Sequence, residues 1–178
     1  MKVALFGSAF NPPSAGHADC VAQLAQFVDE VWLIPSFRHA FDKDMSPYTL
    51  RCEWVQAFAQ DLGPHVKLMA IEHELAIATG TPRPIYSYEV VEHIAQHHPD
   101  HQLLLAIGPD NMHAWSRFSH TERIHARCQV MVTQERLQVR STGIRQELVR
   151  GHVPRAMLTP HVIQALTQYN PWKPLYVA

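Results

Sequence analysis

Residues 7–17 read GSAFNPPSAGH and follow directly on the apolar run KVALF. Two glycines and two prolines in eleven residues make a constrained loop rather than a helix or strand. Its residue types suit phosphate binding. Gly7 is expected to let the backbone leave a strand where a Cβ would obstruct it. Gly16 is expected to permit close approach at a helix start, whose free N–H groups and dipole favour an anion. His17, at that N-terminus, could donate to a phosphate oxygen and stabilise charge in a transition state, with the Ser14 hydroxyl nearby. The loop is not a Walker loop, because it lacks Gly-Lys-Ser/Thr, and it is not GxGxxG either. Spacing alone leaves a helix-start histidine with no duty as an equal reading.

The elements that must carry this loop follow from hydrophobic period and punctuation. Strands are expected over 2–6, 30–35, 65–72, 102–108 and 128–134. Helices are expected over 17–28, over 46–62 (with Ser46 as N-cap, Pro47 at the first position and Gly63 closing) and over 87–98. A short helix is expected within 119–128, and two more at 141–151 and 159–170, while 75–86 reads as a loop. Strand–helix alternation of this kind implies right-handed crossovers and a parallel sheet. The expectation is an α/β, Rossmann-like, doubly wound parallel sheet of about five strands. It forms one domain over 1–178 with a helical part at about 141–170. Open sheets of this class bind ligands beyond the carboxyl ends of their strands. Four loops fall there: GSAFNPPSAGH, SFRHAFDK, GPDN and the stretch leading to RSTGIR.

Composition narrows the classes. The net charge is −1 among 178 residues, which gives no global attraction to nucleic acid or anionic membranes. No apolar run approaches a spanning helix, and the N-terminus lacks a charged leader. Cys20, Cys52 and Cys128 are widely spaced without a CxxC pair, so neither a zinc site nor a disulfide framework is indicated. A reduced, cytoplasmic protein is expected, and self-association stays open. Of thirteen histidines, His93 and His97 sit at i, i+4 on an expected helix as a metal pair would. A solvated helix end is the favoured reading, because cations suit a helix C-terminus, and no protein-held metal is expected.

GSAFNPPSAGH resembles the N-terminal signature of the nucleotidylyltransferase superfamily, G-G-T-F-D-P-x-H/T-x-G-H, with Ser14-Ala15-Gly16-His17 on its core. VRSTGIR, residues 139–145, is similar to the second signature, I-S-S-T-x-I-R. Within the superfamily the chain is most similar to the nicotinate/nicotinamide mononucleotide adenylyltransferases, over nearly its whole length. IPSFRHAFDK, YSYEVVEHI, AIGPDN and GHVPRAMLTPHVIQAL each resemble segments of that family.

The resemblance implies transfer of AMP from ATP to a pyridine mononucleotide, with Mg²⁺ carried by ATP and pyrophosphate released. His17 would contact the ATP phosphates, with Ser14 beside it where relatives hold His or Thr. Gly7, Ser8, Phe10 and Gly16 would shape the nucleotide loop, and Gly108 and Asp110 would hold the ribose. Ser141, Thr142 and Arg145 would grip phosphates. Asn11, Ser87, Tyr88 and Trp115 would meet the acceptor, with Phe118 competing as the stacking aromatic. Lys43, with His39 and Arg38, would meet its phosphate. Three departures stand out: Ser14 is shorter than His, uncharged and able to donate only one ordinary hydrogen bond; Arg140 replaces a serine and adds a cation that either helps hold triphosphate or points away; and only QERLQ separates the fifth strand from the second signature. Without the resemblance, Asp110, Ser141 and Thr142 read as helix caps, Arg145 as a solvated side chain and Trp115 as core. A different phosphate acceptor, or a nucleotide-binding module without catalysis, are the rival functions.

Overall fold

The computed structural model describes residues 1–38, 44–80 and 83–173. The strands are β1 (Lys2–Ser8), β2 (Glu30–Pro35), β3 (Val66–Leu68), β4 (Gln102–Ile107) and β5 (Cys128–Val132). They form a parallel sheet in the order β3-β2-β1-β4-β5. Helices α1 (Ala15–Leu24), α2 (Tyr48–Leu62), α3 (Ile71–Thr79) and α4 (Ser87–His97) connect the first four strands. Beyond β4 come α5 (Pro109–His113), a 3₁₀ turn at Trp115–Arg117 and α6 (Thr121–His125). After β5 the chain forms α7 (Ser141–Val149), a 3₁₀ turn at Arg155–Met157 and α8 (Pro160–Gln168).

Successive side chains of a strand face opposite ways, and β1 is apolar on both faces. Ala4 and Phe6 join Leu24, Trp54, Phe58, Ile144, Leu148, Val162 and Leu166 in one core, beneath α1, α2, α7 and α8. Val3 and Leu5 join Ile71, Val91, Ile94 and Ile124 in the other, beneath α3, α4 and α6. The sheet is therefore wound on both faces, as expected. The winding reverses between β1 and its neighbour β4, which places the ligand crevice beyond those two carboxyl ends. Among the described residues no helix is long and apolar enough to cross a membrane, and all three cysteines are free thiols.

Several local expectations are corrected. The strand expected over 65–72 stops at Leu68, after Met69 N–H makes the last bond to Leu33 O at 2.9 Å. Ile71 and Ala76 then turn into the second core on α3, which Gly80 closes in the left-handed conformation at φ 64°. The loop expected over 75–86 is thus partly helix. α2 begins one residue later than read: Pro47 is its N-cap, and Ser46 makes no side-chain cap. Ser46 instead gives its N–H to Asn11 Oδ1 at 3.3 Å. α1 stops at Leu24, with Val28 packing on the core from the turn beyond. Asp110 does not cap α5, as its residue type alone suggests: Gly108 is the N-cap and Asp110 lies within the first turn.

Candidate active site

The first signature loop leaves β1 and ends in α1. Gly7 does not do what was expected of it. It stays in β1, paired in register with Ile34, and a Cβ there would meet nothing nearer than Ile34 O at 4.0 Å. The left-handed turn falls on Phe10, at φ 45° and fully buried, where its ring holds Phe6 edge-on at 5.6 Å. At Gly16 the structure shows a close approach, made by another stretch of backbone. A Cβ on it would lie 2.5 Å from Val139 O, on the segment leading into α7.

Ser14 is the N-cap of α1 and has no exposed surface. Its hydroxyl lies 2.8 Å from His17 Nδ1 and 3.4 Å from the His17 N–H, and donates weakly to Val139 O at 3.5 Å. Its own N–H donates to His17 Nδ1 at 3.1 Å. This is a capping box in which His17 stands where Glu or Gln usually accepts. The hydrogen-bond network therefore assigns Nδ1 as acceptor and leaves the proton on Nε2. Nε2 lies 3.1 Å from Ser8 Oγ. The ring is enclosed by Phe10 at 4.9 Å and Phe6 at 6.0 Å, and loss of water lowers its pKa from 6.5 to about 4. His17 is thus a neutral Nε2–H donor at pH 7, fixed in tautomer by Ser14.

The second signature meets the first. Ser141 Oγ donates to Pro12 O at 2.7 Å, and Arg145 donates to Asn11 O at 2.8 Å and to Thr142 Oγ1 at 3.2 Å. Burial lowers the Arg145 pKa from its usual value, leaving it a cation. Neither α1 nor α7 has an acidic residue in its first turn, so both N-terminal dipoles remain open to an anion. The two helix starts, the His17 donor and the Arg145 guanidinium form one cradle suited to a polyphosphate.

Asp110, in the first turn of α5 after Gly108, faces the same edge. Its carboxylate lies 3.2 Å from Arg140, which also grips Glu135 through two bonds of 2.9 and 3.0 Å. Arg140 therefore bridges two acids instead of pointing away.

A family model described as cytidylyltransferase-like matches residues 5–165. A probable nicotinate-nucleotide adenylyltransferase of Anaeromyxobacter sp. (strain K) is 33% identical, covering 92% of each chain. The chain belongs to the cytidylyltransferase-like family, in its nicotinate-nucleotide adenylyltransferase branch. A probable enzyme of the same name from Myxococcus xanthus is 30% identical over 92% of this chain and 90% of its own. The crystal structure of a candidate nicotinate-nucleotide adenylyltransferase from Vibrio parahaemolyticus superposes with a TM-score of 0.80 at 35% identity, covering 93% and 97%. A Plasmodium falciparum nicotinic acid mononucleotide adenylyltransferase complexed with NaAD shares the fold, with a TM-score of 0.72 at 11% identity and coverage of 96% and 97%.

In this chain the expected acceptor residues are less tightly gathered. Asn11 is buried, with its side chain spent on Ser46 N–H and its carbonyl on Arg145. Ser87 opens α4, and Tyr88 packs on Arg123 at 4.5 Å and His120 at 4.7 Å. Trp115 pairs with Phe118 at 4.9 Å and packs on the second core, so the two competing aromatics form one unit. Arg38 is exposed, while His39 and Lys43 lie outside the described residues. His93 and His97 are 4.2 Å apart between ring centres, and among the described residues no three His, Cys, Asp or Glu side chains gather as metal ligands would.

Two buried charged residues were missed. Arg51 is 1% exposed and Glu72 is 7% exposed. Arg51 stands on the stripe 51, 54, 55, 58, 59, where Trp54, Val55, Phe58 and Ala59 are all buried. A cation at a core-facing helical position was the available signal. Glu72 accepts the Phe37 N–H at 2.7 Å. Burial pushes its carboxyl up to about 8, against the pull of Phe37 and Arg51.

Proposed function

We propose that the chain transfers AMP from ATP to nicotinate mononucleotide, forming nicotinate adenine dinucleotide and releasing pyrophosphate, a step in NAD biosynthesis. The observation that carries this reading is the joining of the two signature loops. Contacts between Ser141 and Pro12 and between Arg145 and Asn11 bring two uncompensated helix N-termini to one crevice. The branch supplies the substrate pair, and the crevice supplies a place for a triphosphate.

In the proposed reaction an oxygen of the acceptor's phosphate attacks the α-phosphorus of ATP. The bond from that phosphorus to the bridging oxygen breaks, and pyrophosphate leaves with the bonding electrons. No protein nucleophile is needed, so catalysis rests on position and on donors aimed at developing negative charge. His17 would turn its Nε2–H from Ser8 to a phosphate oxygen, while Ser14 holds the other ring nitrogen. Ser14 would then act through His17, which accounts for a small neutral residue at that place. Ser141, Thr142 and Arg145 would bind phosphates from α7, and Gly108 and Asp110 would take the ribose. Mg²⁺ would arrive on ATP and neutralise phosphate charge.

Ser87, Tyr88 and the Trp115–Phe118 pair would receive the pyridine nucleotide. The free thiols support a reducing, cytoplasmic setting. Pyrophosphate release is the test, with ATP and a panel of nicotinate mononucleotide, nicotinamide mononucleotide and non-pyridine phosphates. Turnover highest with nicotinate mononucleotide is expected. Activity confined to a non-pyridine acceptor, or tight ATP binding with no turnover, would overturn the reading.

A further inference from the structure

Arg51 belongs to neither signature, yet it holds the segment that carries the first of them. Its three guanidinium nitrogens donate to three main-chain carbonyls from three parts of the chain. Nη1 reaches Ala9 O at 2.7 Å, in the loop after β1. Nη2 reaches Ser36 O at 2.7 Å, in the loop after β2, and Nε reaches Ser46 O at 2.9 Å, just ahead of α2. Two further bonds stitch the same segments together, Ser36 N–H to Ser8 O at 3.0 Å and Ser46 N–H to Asn11 Oδ1, and Phe37 N–H to Glu72 ties them to α3. The Tyr48 ring lies 5.4 Å from the guanidinium carbon.

Burying a cation is expensive unless its donors are satisfied, and apolar residues at such sites often stabilise a fold as well or better. Here the neighbours on the helix stripe are apolar, so packing alone would be served by another Leu or Met. What an apolar residue could not do is fix three carbonyls at set distances and angles. A lysine could not do it either, being a point charge without a planar fork. Ala9 immediately precedes the left-handed Phe10 and the Asn11 that receives Arg145. Ser36 follows β2 directly, at the head of the sequence segment to which the family resemblance assigns acceptor contacts. One side chain thereby ties the loop after β1, proposed to carry the nucleotide, to the chain just after β2 and just before α2.

We infer that Arg51 is a positioning residue that sets the register between the two substrate loops. This inference rests on the proposed function, because it concerns how two substrates are aligned for one displacement. In-line attack tolerates little error, and a misplacement near 1 Å costs on the order of 10²-fold in rate. Arg51 touches neither substrate, so each should still bind.

The test compares the parent protein with Arg51→Lys and Arg51→Ala. ATP binding is measured by calorimetry and turnover by pyrophosphate release with nicotinate mononucleotide. The expected result for Arg51→Lys is a kcat lower by about 10²-fold with an ATP Kd changed less than about threefold. Arg51→Ala should behave likewise and regain at least tenfold in kcat on adding free guanidinium chloride at low millimolar concentration, far below denaturing levels. Methylammonium at the same concentration should not restore it. Parental kcat in Arg51→Lys would overturn the inference, as would loss of ATP binding in step with loss of activity. So would a failure of both variants to fold, since Arg51 would then serve the core. An inactive parent protein would instead overturn the proposed function, and ATP affinity measured separately keeps the two failures apart.

Discussion

Gly16→Ala is the sharpest probe of the joined signatures. On an ordinary exposed helix this change would stabilise by up to about 1 kcal/mol through propensity. Here the new methyl would sit 2.5 Å from Val139 O. A carbon–oxygen contact settles at about 3.3 Å, so α1 and the segment before α7 must part by about 0.8 Å. Val139 is the residue before Arg140, and Ser141 and Arg145 follow on α7, so the strain falls on the cradle itself. Overpacking of this kind costs about 1–3 kcal/mol, which cancels or exceeds the propensity gain and leaves a net loss of up to about 2 kcal/mol. A displacement near 1 Å between groups that share a triphosphate lowers kcat by on the order of 10²-fold. Urea unfolding reads the first quantity and pyrophosphate release reads the second. A Gly16→Ala protein that is more stable than the parent and equally active would refute the reasoning, because the two loops would then have slack.

Gly7→Ala is the counterpart: with free space around Gly7 and ordinary strand backbone, urea unfolding should show a change within about 1 kcal/mol of either sign. His17→Ala should lower kcat by about 10²-fold with the fold retained by circular dichroism, and an unchanged rate would remove His17 from the mechanism. Below pH 6.5 the unfolded chain takes up a proton that folded His17 refuses until about pH 4. Stability should therefore fall as pH drops through that window, by at most about 3 kcal/mol, and acid titration of His17→Gln should lack this component. The Arg140–Asp110 pair is exposed on both sides and worth at most about 1 kcal/mol. If ATP must displace it, Arg140→Ser should lower the ATP KM by no more than about fivefold, whereas a rise would mean that Arg140 grips the triphosphate.

The parts of this molecule that were legible before its structure are those where local pattern and tertiary role agree. β2 fell on residues 30–35 because EVWLIP is apolar, β-branched and bounded by turn residues. The α4 start at Ser87 and the α7 start at Ser141 were likewise local signals. Misreadings came where a short apolar run served two elements. HVKLMAIE holds both the whole of β3 and the beginning of α3, and nothing local marks Met69 as the break. Gly7 illustrates a different limit, since a glycine before a loop suggests backbone strain, yet the strain sits on Phe10. Ser14 looked like a weakened catalytic residue until its bonds to His17 were visible. Arg51 could be noticed as a cation on an apolar stripe, but its partners could not be named, because main-chain carbonyls carry no sequence signature.

The two halves of the cradle are far apart along the chain. Ser14 meets Val139 across 125 positions, Pro12 meets Ser141 across 129, and Asn11 meets Arg145 across 134. Closing a loop of that length costs about 4 kcal/mol in chain entropy, which only the completed sheet and both cores can offset. A growing polypeptide that has already made β1 to β4 therefore still has no phosphate cradle. Competence should switch on late in synthesis, when α7 docks, and should be the first property lost if α7 and α8 peel away.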